Sequence, residues 1–301
     1  MITTLRFPIH EVEPYINWLY FFYSWQLPSR YGSLAFMRNS ESDDAQWLAQ
    51  FSESEQSQAR EALRLFTDAK QMLRRFDLNY ATFGRVGLFG ANGDGDDILV
   101  YLDSRATLRL PCLRQQQKFG DRRPNLCLSD FVAPLATGSR DTLGIFAVAV
   151  QDSMEHDGDG DVYRQMLART LCDRLAEATA ELLHVRVRRE LWGYSPDEHL
   201  TLGELFQGRY QGIRPAVGYP SLPDQSLNFL LDRAIDFASV GISLTENGAM
   251  SPHGSVSGLM IGYPQARYFS VGRIGDDQFN DYVKRRGLPR DRVAQFLRAN
   301  L

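Results

Sequence analysis

One apolar run constrains the fold of this chain more than any other feature. Residues 144–150 read Gly-Ile-Phe-Ala-Val-Ala-Val, with no polar side chain among them. A run of this kind is typical of a strand that is covered on both faces and lies inside a sheet. The fold must therefore place other elements against both sides of this strand.

Shorter strand patterns and longer helical patterns surround this run. Short apolar stretches separated by turn residues predict strands at 85–89, 97–103 and 107–110. Apolar residues at helical spacing predict a short helix within 200–213 and longer ones at 55–76, 162–191, 225–240, 276–286 and 290–297. Residues 255–261 and 267–271 are predicted to pair as an antiparallel hairpin across the turn at 262–264.

Strands are grouped between helices in this pattern, without a regular βαβ alternation. That order predicts the α+β class, with a largely antiparallel twisted sheet and flanking helices. Neither an internal repeat nor a linker is evident, and a chain of 301 residues with 44% hydrophobic content is able to bury a core. We therefore predict a single domain over residues 1–301.

Composition excludes several classes of function. The net charge is −4, whereas a nucleic-acid binder needs a basic face to neutralise phosphates. No apolar run approaches the roughly 18 residues of a membrane-spanning helix, and no signal peptide is evident. The three cysteines form no CxxC pair, which is typical of reduced thiols. We predict a cytoplasmic protein that binds neither nucleic acid nor a membrane.

The sequence offers no pattern for a metal ion or for pyridoxal phosphate. The five histidines never recur at helical spacing, and the acidic turn at 157–161 lacks the glycine and the glutamate of a calcium loop. A pyridoxal-phosphate enzyme needs a Schiff-base lysine. Lys70, Lys118 and Lys284 are the only lysines, and each lies in a polar or amphipathic stretch. We therefore predict neither cofactor.

The segment 214–220 is the strongest candidate for a ligand site. It reads Arg-Pro-Ala-Val-Gly-Tyr-Pro, which on its own also fits an ordinary proline-rich surface loop. Proline restricts the backbone, glycine lets a ligand approach the main chain, and a guanidinium suits a carboxylate. These properties predict a rigid loop that holds a small anionic or zwitterionic molecule.

Short motifs along most of the chain resemble those of one known family. They are, in order, Tyr15-Ile16-Asn17-Trp18, Gly87-Leu88-Phe89, Asp130-Phe131-Val132-Ala133-Pro134, Trp192-Gly193-Tyr194, Tyr210-Gln211-Gly212-Ile213-Arg214-Pro215 and Ser255-Val256-Ser257-Gly258. Together they resemble the S-adenosylmethionine-binding activation domain of cobalamin-dependent methionine synthase. The resemblance implies that family's fold. It also marks the polar stretch at about 37–58 as an insertion, which we expect to be solvent-exposed and partly helical.

The resemblance implies roles for individual residues. In the family, an Arg-Pro-x-x-Gly-Tyr motif holds S-adenosylmethionine. Arg214 is then expected to bind the methionyl carboxylate and Ala216 to contact the adenine through its backbone. Gly218 and Tyr219 are expected to flank the ligand, and Glu177 matches a carboxylate that the family places near it.

Two positions depart from the family pattern. The acidic residue that receives the ligand's ammonium is expected where this chain has Asn17, and a further glutamate is expected where it has Gly208. Asn17 stays a predicted substrate-binding residue, without the charge. The chain also lacks the Asp-x-His-x-x-Gly segment that holds cobalamin. We therefore expect that this chain alone holds no cobalamin. We also expect the protein to be either a subunit that acts in trans or a paralogue with a new task.

Two functions remain open from the sequence. The first is a lyase that cyclises S-adenosylmethionine to 1-aminocyclopropane-1-carboxylate and releases methylthioadenosine, with no cofactor. It needs a base for the α proton, and the candidates are Tyr101, Tyr219, Glu246 and His253. The alternative is a stand-alone reactivation module that supplies S-adenosylmethionine for reductive methylation of a separate cobalamin protein. A sensor or storage protein without turnover is a third interpretation.

Overall fold

The apolar run lies inside an antiparallel sheet. A computed structural model describes residues 1–37, 41–117, 124–158 and 160–301 of the chain. The strand spans Asp141–Val150, and its residues 143–150 are all buried. Phe146 and Val148 pack into one core and Ile145 and Ala147 into another, because successive side chains of a strand point to opposite faces. The prediction of a strand covered on both faces is confirmed.

The sheet is antiparallel throughout. The described strands of the chain are β1 (Ile2–Pro8), β2 (Ala81–Asp94), β3 (Asp97–Tyr101), β4 (Thr107–Pro111), β5 (Asp141–Val150), β6 (Ser243–Leu244), β7 (Met250–Ser251) and β8 (Ser255–Met260). The main sheet has the order β4-β3-β2-β5-β8, and β6 and β7 form a separate pair. β1 pairs with the first half of β2, and β3 pairs with its second half. The predicted α+β class with a largely antiparallel sheet is confirmed.

Helices cover both faces of the main sheet. The described α-helices are α1 (Ile9–Val12), α2 (Trp18–Ser24), α3 (Leu34–Met37), α4 (Glu41–Leu48), α5 (Gln56–Asn79), α6 (Val162–Arg186), α7 (Leu202–Phe206), α8 (Asn228–Ile235), α9 (Asp276–Arg286) and α10 (Arg290–Phe296). Helices α2, α5 and α6 share the core that contains Phe146, and α8 packs against the face that contains Ile145. None of these helices is long and apolar enough to cross a membrane.

Two predicted helices are shorter or less continuous than expected, and one observed strand was not predicted. Helix α6 ends at Arg186 and the chain continues as a wider π-helical turn over Val187–Leu191. The predicted helix at 225–240 is interrupted after α8, because Asp236 has a left-handed φ of 55°. β1 has no counterpart among the predicted strands, since its polar and apolar side chains are mixed, Phe7 alone among them is buried, and they form no apolar run.

The predicted insertion at about 37–58 is anchored to the core. Residues 38–40 lie outside the described part of the chain, and α4 follows them. Trp47 of α4 is buried against the rings of Tyr31 and Phe51, and its indole N–H donates to Ser33 Oγ at 3.1 Å. The expectation of a solvent-exposed stretch is therefore wrong at Trp47, because a single large side chain fixes this helix to the core.

The predicted hairpin between 255–261 and 267–271 is wrong. Residues 267–271 form no strand, and β8 pairs with β5 on one edge. The other edge of β8 is occupied by the segment 213–217. Val217 N–H donates to Ser257 O at 2.9 Å, and Leu259 N–H donates to Pro215 O at 3.0 Å. The sheet edge that was expected to carry a hairpin partner carries the candidate ligand segment instead.

Gly258 is the residue that allows this close approach. A Cβ added at Gly258 would lie 2.2 Å from Pro215 O and 2.8 Å from Ala216 Cα, so any side chain would push the segment away from β8. The position of Arg214 therefore depends on a glycine in the neighbouring strand.

We expect Gly258→Ala to lower the free energy of unfolding by about 1–3 kcal/mol, because the backbone contact leaves no room for a methyl group. Urea unfolding at equilibrium measures this change. Gly203→Ala in α7 is the matched control, since a Cβ there meets nothing within 4 Å. It should change stability by less than about 1 kcal/mol, on the stabilising side. Equal stability of Gly258→Ala and the unmodified chain would contradict the packing described above.

Candidate functional site

A cavity of about 620 Å³ opens beside the segment 214–220. Helix α6 contributes one part of the lining, and residues 205–208 with Tyr210 contribute another. Tyr15, Asn17 and Tyr20 near the N-terminus complete it together with Tyr268 and the segment 214–220. The lining residues are Tyr15, Asn17, Tyr20, Arg174, Glu177, Ala178, Glu181, Leu205, Phe206, Gln207, Gly208, Tyr210, Arg214, Tyr219 and Tyr268.

Helix α6 supplies three of the four charged residues in the described lining of the cavity. Arg174, Glu177 and Glu181 are three and four residues apart, so one face of the helix presents all of them. The other charged residue, Arg214, comes from the segment that pairs with β8. The described lining therefore contains two cations and two carboxylates, together with five tyrosines.

Arg214 is the buried cation of the site. Its side chain is only 10% exposed, and its Nη2 donates to Glu181 Oε2 at 3.1 Å. The backbone N–H of Arg214 donates to the Tyr268 hydroxyl at 2.8 Å. Burial alone would lower the pKa of Arg214, but the Glu181 carboxylate and nearby groups raise it above its ordinary value. The guanidinium therefore stays charged where a ligand could reach it.

Tyr219 and Glu177 form a pair at the rim of the cavity. The Tyr219 hydroxyl donates to Glu177 Oε1, and burial followed by the Glu177 charge raises the pKa of Tyr219. Both residues, together with Arg174, also line an adjoining cavity of about 210 Å³. A ligand that fills the first cavity would therefore reach a second one past Tyr219.

A buried polar network supports the tyrosine wall. Arg188 is fully buried and pairs with Glu198 at 2.6 Å, and its guanidinium lies 4.3 Å from the centre of the Tyr210 ring. His184 packs edge-on against the same ring. Burial, then the charges of Arg188 and Arg214, hold the pKa of His184 well below its ordinary value. His184 is therefore neutral, and the network fixes the ring of Tyr210 in the cavity wall.

Comparison with known proteins identifies the family. A family model for the vitamin B12 dependent methionine synthase activation domain matches residues 8–287. The chain belongs to this family. It is also similar to a crystal structure of the MetH reactivation domain bound to AdoHcy, with 36% sequence identity and a TM-score of 0.86. That similarity covers 100% of this chain and 90% of the other one.

Most residues predicted from the family motif meet in this activation domain. Asn17, Glu177, Arg214 and Tyr219 all line the larger cavity. Asn17 also caps α2, where its Oδ1 accepts a hydrogen bond from Leu19 N–H at 3.2 Å. The position of Gly208 lies in the lining as well, and a Cβ placed there would meet no atom within 4 Å. The two departures from the family pattern therefore lie at the same cavity as Arg214.

Ala216 and Gly218 shape the segment rather than line the larger cavity. Ala216 is bridged to Gly258 of β8, and its carbonyl accepts from Tyr219 N–H at 3.3 Å. Gly218 has a left-handed φ of 87°, which favours glycine and turns the chain towards Tyr219. The contact of Ala216 with an adenine stays a prediction.

The four candidate bases are dispersed over the activation domain. Tyr219 lines the larger cavity, and His253 lines only the adjoining one, with an exposed side chain 3.7 Å from Asp173. The Tyr101 hydroxyl donates to Asn92 Oδ1 at 3.0 Å, and Tyr101 does not line either cavity. Glu246 lies exposed in the turn between β6 and β7, also outside both.

Sequence reasoning missed Arg174, Glu181 and Tyr268 as site residues. Arg174 and Glu181 share a helix face with Glu177 at spacings of three and four, and that periodicity could have indicated them. Tyr268 lies in the stretch that was predicted as a hairpin strand, so no signal placed it near Arg214. Its hydroxyl reaches the site because that stretch runs as a loop past the segment 214–220.

The described residues hold no group of three or more His, Cys, Asp or Glu side chains that could bind a metal ion. Lys70 pairs with Glu13, Lys284 is exposed at the end of α9, and Lys118 lies outside the described residues. Neither described lysine lines the larger cavity. The absence of pyridoxal phosphate and of bound cobalamin stays a prediction.

Proposed function

We propose that this activation domain binds S-adenosylmethionine in the Arg214 cavity and presents its methyl group to a cobalamin held by another domain. The observation that carries the proposal is the buried Arg214 guanidinium, which lies among carboxylates and tyrosine rings in a cavity of about 620 Å³. Membership of the family and similarity to a reactivation domain bound to S-adenosylhomocysteine (AdoHcy) support it.

The cavity matches the chemical groups of this ligand. A guanidinium binds a carboxylate through two parallel hydrogen bonds, which suits the carboxylate of an amino acid. A carboxylate of the α6 face suits its ammonium. A sulfonium is attracted to carboxylates and to the faces of aromatic rings, and Tyr20, Tyr210 and Tyr219 all line the cavity. The ligand's charges therefore each find an opposite charge or a π face.

The contribution of this chain to methyl transfer is orientation. Arg214 is held by the hydrogen bond from its backbone N–H to Tyr268 and by the pairing of its segment with β8. The ligand's α-carboxylate and α-ammonium, which we call the amino acid head, would therefore be bound at a fixed point. A fixed head directs the sulfonium methyl towards one side of the cavity. In this proposal cobalamin is the methyl acceptor and is carried by a separate domain, with no residue of this chain assigned to hold it.

Arg214→Ala should weaken the binding of AdoHcy at least about 100-fold, because it removes a charged hydrogen-bond donor from a buried site. Isothermal titration calorimetry measures the dissociation constant. Arg209→Ala is the matched control, since the Arg209 side chain is 62% exposed and does not line the cavity.

Arg214→Lys keeps the positive charge beside Glu181 and guards against a loss of folding in the alanine variant. It should still lose about tenfold in affinity, because an ammonium does not bind a carboxylate through two parallel hydrogen bonds. Unchanged affinity in a folded Arg214→Ala variant would show that the ligand binds elsewhere.

Cyclisation of S-adenosylmethionine is the second candidate function. The observation in its favour is that the Tyr219–Glu177 pair in the cavity lining offers both a proton acceptor and a hydroxyl, while Asn17 leaves the ligand's ammonium without a carboxylate at that position. In this reaction a base removes the α proton. The α carbon then attacks the γ carbon, and the carbon–sulfur bond breaks to release neutral methylthioadenosine. The comparisons support the reactivation module and give this reaction no support.

Incubation with S-adenosylmethionine separates the two candidates. The reactivation module should release no methylthioadenosine above the spontaneous rate, and should raise methyl transfer to a cobalamin protein under reducing conditions. Mass spectrometry of the small molecules and the absorption spectrum of cobalamin measure these outcomes, with Arg214→Ala as the negative control. Catalysed release of methylthioadenosine and 1-aminocyclopropane-1-carboxylate in equal amounts would overturn the first candidate in favour of the second.

A further inference from the structure

The contact between Arg214 and Glu181 is incomplete on both sides. One hydrogen bond of 3.1 Å joins Arg214 Nη2 to Glu181 Oε2. Arg214 Nε and Glu181 Oε1 are both buried and have no hydrogen-bond partner among the residues that the structure describes. Buried donors and acceptors of charged groups are costly to leave unpaired. The pair therefore has the capacity for one further acceptor at Arg214 and one further donor at Glu181.

A zwitterionic amino acid head supplies both missing partners. Its carboxylate accepts from Arg214, and its ammonium has three N–H groups to donate to Glu181. Glu181 Oε2 accepts from Arg214 Nη2, a donor that the ligand's carboxylate could also use. If the amino acid head enters between the two residues, the single Arg214–Glu181 ion pair is replaced by two: Arg214 with the ligand's carboxylate, and Glu181 with its ammonium.

Other groups in the lining are poorer partners for an ammonium. Asn17 is uncharged, and its Oδ1 already accepts from Leu19 N–H. Gly208 has no side chain. Glu177 accepts a hydrogen bond from the Tyr219 hydroxyl. Among the described residues that line the cavity, Glu181 is therefore the carboxylate with a buried oxygen that still lacks a donor.

We propose that Glu181 recognises the ligand's ammonium in this chain and takes over the task that the family pattern assigns to position 17. Glu181 pairs with the buried Arg214 guanidinium at 3.1 Å, so its carboxylate already lies where an ammonium bound beside Arg214 could reach it. When the ligand binds, Glu181 turns its free oxygen to the ammonium and Arg214 passes to the carboxylate. This inference rests on the proposed function, because it requires an amino acid head in the cavity.

The test compares AdoHcy with its deamino analogue, which keeps the carboxylate and lacks the amino group. The unmodified chain should bind AdoHcy at least about tenfold more tightly than the analogue, as expected for loss of a charged hydrogen bond. Glu181→Gln should reduce that preference to less than about threefold, because an amide has no charge to offer the ammonium. Calorimetric titration of both ligands to both proteins gives the four dissociation constants.

Glu177→Gln is the matched control, because it removes the other carboxylate of the same helix face. It should retain the preference for AdoHcy over the deamino analogue. Loss of the preference in Glu177→Gln with retention in Glu181→Gln would assign the ammonium to Glu177 and overturn the inference. Equal binding of the two ligands by the unmodified chain would overturn it too, without reliance on the folding of any variant. If neither ligand binds the unmodified chain, it is the proposed function that fails.

Discussion

The pairing of residues 213–217 with the edge of β8 is the interaction on which the site depends. Four backbone hydrogen bonds join residues 213–217 to β8 and to Ile261 directly after it, among them Ile213 N–H to Ile261 O at 2.9 Å and Ile261 N–H to Ile213 O at 3.0 Å. This pairing is close because Gly258 has no side chain. It fixes the main chain of Arg214 against a sheet whose strand β5, the neighbour of β8, is buried on both faces, so the guanidinium projects from a rigid element into the cavity.

Much of the fold could be predicted because it depends on local patterns. The buried strand β5 and the helices α5, α6, α9 and α10 follow from apolar periodicity, which is decided by neighbours in the sequence. The partner of β8 could not be predicted in this way. Residues 267–271 have strand-like composition, but edge pairing depends on which segment reaches β8 in three dimensions, and the segment 213–217 does so.

The site residues also divide into those that the sequence could predict and those that depend on the three-dimensional fold. Arg214 and Tyr219 were predicted because family resemblance and backbone chemistry mark a single short segment. Glu181 was not, because on the sequence it is one charged position of a long helix, and its importance appears only when Arg214 is found beside it. Tyr101 and Glu246 were plausible bases by residue type alone, and the fold places both away from the cavities that Arg214 and Tyr219 line. Residue type selects candidates, whereas tertiary packing decides which of them meet.

The central claim is that the Arg214–Glu181 pair is the binding site for an amino acid head. A crystal structure of this chain with AdoHcy tests that claim most directly. The account predicts the ligand's carboxylate within about 2.7–3.1 Å of the Arg214 guanidinium nitrogens, with the Glu181 carboxylate moved to the ligand's ammonium. A ligand bound elsewhere, with the Arg214–Glu181 contact intact, would contradict it.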